Sequence, residues 1–150
     1  MLRNADVRGP DGDVGEVRGV IEAWAAALRA KDATGVMATQ TTDIALFTLA
    51  PPLVTPPEGE SGLQAWFDTW DGPLEVEFRD LDVVAGPDVA YGHCLMMLGG
   101  TLKDGGPRRI WLRLTSGLRK ARGRWSICHT HESVPFYMDG SYRAAVDLAP

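Results

Sequence analysis

Histidine at 129, histidine at 131 and serine at 133 recur at every second position in the stretch Gly-Arg-Trp-Ser-Ile-Cys-His-Thr-His-Glu-Ser-Val-Pro-Phe, residues 123–136. Extended backbone turns successive side chains to opposite faces. Trp125, Ile127, His129, His131 and Ser133 are therefore expected on one face, and Ser126, Cys128, Thr130, Glu132 and Val134 on the other. The first face changes from apolar to polar along its length, the pattern of a strand that begins under a hydrophobic core and ends in a pocket. Pro135 stops the ladder because it has no amide hydrogen to donate. Two imidazoles and a hydroxyl in such a place suit proton transfer, since imidazole titrates closest to neutrality.

The preceding strand adds a cation. With Ala121-Arg122-Gly123 as a three-residue loop and Gly123 in the left-handed conformation, Lys120 opposes Arg124, and the pairs His129–Thr115, His131–Arg113 and Ser133–Trp111 follow. A two-residue turn would shift this pairing by one. Trp111, Arg113, Thr115, His129, His131 and Ser133 then share one patch. An arginine beside His131 disfavours the imidazolium and leaves a neutral ring able to accept a proton, the starting state of a general base. The planar fork of Arg113 suits a carboxylate, enolate or phenolate oxygen. The same residues would equally serve as a satisfied polar network in a sheet, so both roles stand at this point.

Other chemistries have less to build on. His129 and His131 offer two imidazoles to a metal, but His93 lies two strands away, roughly 10 Å at an interstrand spacing of about 4.8 Å, and no acid completes a ligand set. Arg108, Arg109, Arg113, Arg119, Lys120, Arg122 and Arg124 make up nearly half of the 15 lysines and arginines. They sit at the ends and tip of one hairpin, where charge protects a solvated edge, and the net charge of -5 argues against a nucleic-acid or anionic-membrane binder. There is no P-loop, Gly-x-Gly-x-x-Gly, Gly-x-Ser-x-Gly or His-Glu-x-x-His string.

The elements that position these residues follow from periodicity. At 150 residues, with 45% hydrophobic and 23% charged side chains, the chain has the size and composition of one globular domain. Residues 1–13 read as a flexible leader, 14–138 as the domain and 139–150 as a tail. Val17, Ile21, Trp24 and Leu28 predict a helix over 14–30, opened by an Asp13–Glu16 capping box. Asp32 caps a short second helix through Thr39. A strand over 43–49 stops at Ala50-Pro51-Pro52, and Ser61 with Gln64 opens a third helix over 62–70 carrying Leu63, Trp66, Phe67 and Trp70 on one stripe. Strands over 74–84, 88–101, 108–120 and 124–134 follow, separated by glycine-rich turns. Helices followed by a meander give an α+β half-open cone with three helices on the concave face of a curved, mostly antiparallel sheet. Ile110, Leu112, Leu114 and Leu118 are then expected on the outer sheet face, where an apolar surface calls for a second copy of the chain in a two-fold dimer. Cys94 and Cys128 match neither a metal knuckle nor a disulfide framework, and the N-terminus has no apolar run of signal length, so the expected location is the cytoplasm.

The chain resembles the nuclear-transport-factor-2-like superfamily and, within it, the SnoaL-like, ketosteroid-isomerase-like proteins. The resemblance rests on Asp43-Ile44-Ala45-Leu46-Phe47, Leu49-Ala50-Pro51-Pro52-Leu53, Gly100-Thr101-Leu102-Lys103-Asp104-Gly105, Trp111-x-Arg113-x-Thr115 and the Gly123 to Phe136 stretch. It implies a cone-shaped barrel, a pocket between helices and concave sheet, a homodimer through the outer face, and cofactor-independent acid–base chemistry of isomerase, cyclase or dehydratase type on a carbonyl or polyketide-like compound. Other members of the superfamily only bind ligands or assemble. Relatives often carry an acid where this chain has Thr130, and another where it has Thr48, which leaves Asp43 as the obvious carboxylate. The expected catalytic residues are thus His131, Asp43 and Arg113. Trp24, Trp66, Trp111, Thr115, His93, His129 and Ser133 are expected to line the site for a small hydrophobic or carboxylate-bearing ligand. A non-catalytic binding or dimerisation module is the competing expectation.

Overall fold

The apolar stripe Val17, Ile21, Trp24 and Leu28 is the buried side of the first helix, α1 (Asp11–Ala30), in a computed structural model that describes residues 9–150. The helix ends where Lys31 turns left-handed at φ 53°, with Lys31 N–H donating to Leu28 O and Asp32 N–H to Ala27 O, the paired bonds of a Schellman closure. Asp32 then caps α2 (Ala33–Ala38) by accepting from Gly35 N–H at 2.9 Å. β1 (Gln40–Phe47) and α3 (Gly59–Phe67) precede four strands: β2 (Trp70–Ala85), β3 (Val89–Leu102), β4 (Gly106–Ala121) and β5 (Arg124–Ser133).

Two expected capping boxes are replaced. α1 starts at Asp11, so residues 11–13 are helical rather than leader, while residues 1–8 lie outside the described residues. Asp13, inside the first turn, instead accepts from Lys120 Nζ at 2.8 Å and Trp125 Nε1 at 3.2 Å, tying the helix to the β4–β5 hairpin. α3 starts at Gly59, and Gln64 donates to Asp68 rather than reaching back to Ser61.

The sheet order is β1-β5-β4-β3-β2, with β1 parallel to β5 and every other pair antiparallel. The helices cover one face of this curved, unclosed sheet, so the fold is α+β as expected. Val17, Ile21, Trp24, Phe67, Met96, Leu112, Leu114, Leu118, Trp125 and Ile127 belong to one buried cluster. α1 lies so close to β3 that a Cβ on Gly92 would stand 2.7 Å from Ile21 Cδ1. No helix among the described residues is long and apolar enough to cross a membrane.

Leu112, Leu114 and Leu118, at 2%, 2% and 0% exposure, correct the expected outer face: these leucines point toward the helices. The hairpin register explains the reversal. The β4–β5 turn has two residues, Arg122 at φ 52° and Gly123 at φ 76°, so Ala121 opposes Arg124 and Lys120 opposes Trp125. Consecutive left-handed residues match the twist of a hairpin, which favours this short turn over the expected three-residue loop.

Candidate functional site

β5 carries a bulge that decides its chemistry. Leu118 opposes Ile127 but Gly117 opposes His129, leaving Cys128 without a partner, and its thiol reaches the Gly117 carbonyl at 3.5 Å. One extra residue inverts the alternation. Trp125 and Ile127 face the helices, and beyond the bulge Thr130 and Glu132 take over that side while His129, His131 and Ser133 pass to the other. The two-residue turn and the bulge each move the register by one residue in the same direction, a total of two, which keeps the same side chains on a common face. His131 opposes Thr115 and Ser133 opposes Arg113, so the expected cluster stays together, one pair out of step and on the outer face.

On the inner side the polar residues are few. Thr130 is 3% exposed and opposes Ser116 at 1%, whose Oγ is buried without a hydrogen-bond partner among the described residues. Glu132 follows, opposite Leu114 and beside the exit of β1, where Leu46 and Phe47 align with Thr130 and His131. Burial pushes the Glu132 carboxyl up to about 7, and a hydrogen bond from the Leu49 backbone N–H opposes the rise. No cation forms an ion pair with Glu132 among the described residues. The segment after β1 folds back over this point: Thr55 N–H donates to Leu46 O at 3.0 Å and the Thr48 and Thr55 hydroxyls bond at 2.8 Å. Of the expected ligand-binding residues, Trp24 at 5% exposure lies in the core and Trp66 is half-buried on α3, 5.2 Å from the Phe67 ring and 6.1 Å from that of Trp70. Burial raises the Cys94 thiol to about 11, which keeps it protonated and unreactive at neutral pH.

The outer side gathers the remaining expected residues. Arg113 Nε donates to Ser133 Oγ at 3.1 Å, and His129 donates through Nδ1 to Ala45 O at 2.8 Å. The edge of Phe47 meets both imidazoles, with ring centroids 5.0 Å from His129 and 5.5 Å from His131. Thr115 stands between His131 on β5 and His93 on β3; His93 stacks on Tyr91 at 6.3 Å and lies 3.9 Å from the Asp82 carboxylate. Trp111 sits under the Arg79 guanidinium at 5.2 Å. Asp43 is also outside, ion-paired with Arg119; the Thr41 hydroxyl and that guanidinium hold its carboxyl below the ordinary range, so it stays charged. His131 and Arg113 are therefore not in the helix-facing concavity where the hairpin count had them, and Asp43, the carboxylate that the resemblance left available, lies on the outer face with them. Among the described residues no three or more His, Cys, Asp or Glu side chains are gathered as a metal site.

Glu132, Thr130 and Ser116 are the residues that sequence reasoning missed. A signal existed: an unbroken alternation from Trp125 to Ser133 sets the imidazoles against the side of β4 that must also hold Leu112, Leu114 and Leu118. An inserted residue resolves that conflict.

The SnoaL-like domain family model matches residues 17–137. Compared with the curated proteins, the chain finds no match. Among solved structures, an NTF2-like protein of unknown function from Pseudomonas putida is 30% identical with a TM-score of 0.78, and the alignment covers 94% of this chain and 99% of that one. A ketosteroid isomerase-like protein from Erwinia carotovora atroseptica is 21% identical at a TM-score of 0.66, covering 83% and 97%. A protein with a cystatin-like fold from Nostoc punctiforme is 16% identical at 0.65, covering 82% and 91%.

Proposed function

Because the chain belongs to the SnoaL-like domain family, we propose that its concave side takes up a small carbonyl or polyketide-like compound and that Glu132 moves a proton on it without a cofactor. The observation that carries this reading is the Glu132 carboxyl, half-buried on the helix-facing side with no ion-pair cation among the described residues, and raised by burial to about 7. A carboxyl so placed is divided between its two protonation states near neutral pH, the condition under which one group both removes and returns a proton. Glu132 takes the proton from the carbon next to the carbonyl. The Ser116 Oγ, without a partner among the described residues, and the Thr130 hydroxyl lie on the same side of the sheet and are the donors proposed for the enolate oxygen that develops. Return of the proton to another carbon completes an isomerisation, and its delivery to a β-hydroxyl, which leaves as water as the enolate collapses to the enone, completes a dehydration. The ligand enters beside the Thr48–Thr55 clasp, with Trp66 on the facing helix.

The test is a thermal-shift screen against enones, polyketide-like phenols, steroids and small carboxylates, followed by turnover assays on the classes that bind. Glu132→Gln keeps shape and cooperative melting and lowers kcat by about 10²–10⁴. In the parent kcat/KM rises with pH through about 7, as the base ionises. Equal turnover in parent and Glu132→Gln overturns the assignment; ligand binding without turnover in either protein makes the chain a binding module.

The outer face supports a second element of the reading, a two-fold dimer. Val89 at 64% and Tyr91 at 47% exposure, with Thr115, His131 and the half-buried Phe47 and Trp111, form a mixed apolar and aromatic surface on the side that the helices leave open. It takes the place of the leucine face expected from the sequence.

A further inference from the structure

At the hairpin end of the outer face lies an open recess of about 450 Å³ lined by Thr41, Arg119, Ala121, Arg122, Arg124 and Ser126. Its volume falls within the range of small-ligand sites, roughly 300–1,000 Å³. Three arginines line it in a chain whose net charge is -5. Arg119 is held in place by Asp43, whereas Arg122 and Arg124 form no ion pair among the described residues. The hydroxyl of the half-buried Ser126 adds a neutral donor on the same wall. Arg122 occupies a left-handed turn position at φ 52° where asparagine, aspartate or glycine is the favoured choice. A bulky cation thus stands at the tip of the turn where the backbone favours a smaller residue.

We propose that this recess is an anion site for the phosphate group of a small soluble ligand, with Arg122 and Arg124 as its principal contacts and Arg119 as a fixed third charge. A phosphate monoester offers several oxygens to guanidinium forks and two negative charges to balance the two unpaired arginines. The site is separate from Glu132. Arg124 and Glu132 are eight positions apart along β5, on the order of 26 Å of extended strand, and the two lie on opposite sides of the sheet.

The experiment is calorimetric titration of the full chain with pyrophosphate and with inorganic phosphate at neutral pH and constant ionic strength, alongside ³¹P NMR. Saturable binding is expected, with pyrophosphate the tighter of the two. Arg124→Ser and Arg122→Asn should each weaken it by about tenfold or more, the loss of one charge-assisted contact. Arg122→Asn should also melt no lower than the parent, because Asn-Gly suits the turn; weaker binding with an undiminished melt separates ligand recognition from folding. Arg108→Ser, at the opposite end of β4, should bind as the parent does. The proposal is overturned by a response that follows ionic strength alone, by an equal loss in Arg108→Ser, or by binding confined to oligonucleotides with none to pyrophosphate. Glu132→Gln should retain pyrophosphate binding, so this proposal and the acid–base reading fail independently.

Discussion

Replacing Glu132 by Gln should change how stability depends on pH. Below 4.5 the carboxyl is neutral in both the folded and unfolded chain, and it contributes no pH dependence. Between 4.5 and about 7 the unfolded chain has released the proton while the folded chain still holds it, so the native state binds more protons and stability falls as pH rises. Above about 7 the full cost of a buried carboxylate is present. The gap between the two pKa values corresponds to about 3 kcal/mol. Gln has the same shape and can accept the Leu49 N–H, but it does not ionise. The stability difference between Glu132→Gln and parent should therefore grow in the variant's favour by about 3 kcal/mol from acid to mildly alkaline pH, or roughly 6–12 °C in midpoint for a domain of this size. Urea denaturation of both proteins across the window, plotted as a difference, cancels every other titrating group. A flat difference curve would mean that the folded-state carboxyl has an ordinary pKa, and the physical basis for Glu132 as the base would be gone.

Other substitutions probe the remaining architecture. Ile127→Ala opens a void opposite Leu118, both residues being 0% exposed, and should cost about 2–5 kcal/mol by denaturant titration; a loss below 1 kcal/mol would contradict the packing at the bulge. Asp13→Asn removes a carboxylate held below its ordinary range by the Lys120 and Trp125 hydrogen bonds. Since a depressed pKa stabilises above the unfolded value and is lost as pH falls through the folded one, the variant should melt lower at neutral pH and converge with the parent in strong acid; a deficit unchanged by pH would refute the pairing. Tyr91→Asp places a charge in the exposed aromatic surface of the outer face. Sedimentation should show the mass falling from two copies to one, and an unchanged mass would place any dimer contact elsewhere.

The helices and strands were legible because each rests on a local rule. The Val17–Leu28 stripe, the Asp32 cap, the stop at Pro51-Pro52 and the glycine turns each specify an element without reference to distant residues. The α1 capping box failed for a tertiary reason, since Asp13 gains two donors from the β4–β5 hairpin that no local pattern reveals. The site depends on longer-range register. A turn shorter by one residue and a bulge of one residue add to a shift of two, which keeps partners on a common face, so Arg113, Thr115, His131 and Ser133 were correctly expected to be neighbours, yet on the wrong face. The error was one of parity, and it also hid Glu132, which reads as a solvent-facing strand glutamate unless the bulge is counted. His93 was expected two strands from His131, and the register places both beside Thr115.

Cys128 makes side-chain direction in this strand a matter of counting. Residues before it obey one assignment of odd and even positions, and residues after it obey the opposite one. A relative with one residue fewer between Ile127 and His129 could carry the same His-Thr-His-Glu string with both imidazoles toward the helices and the carboxylate in the open, and its chemistry would be exchanged although its letters matched. Transfer of a role between such chains therefore depends on the length of the strand from turn to motif as much as on the motif itself. For this chain, that length is what turns Glu132 toward the helices and the histidines toward the outer face.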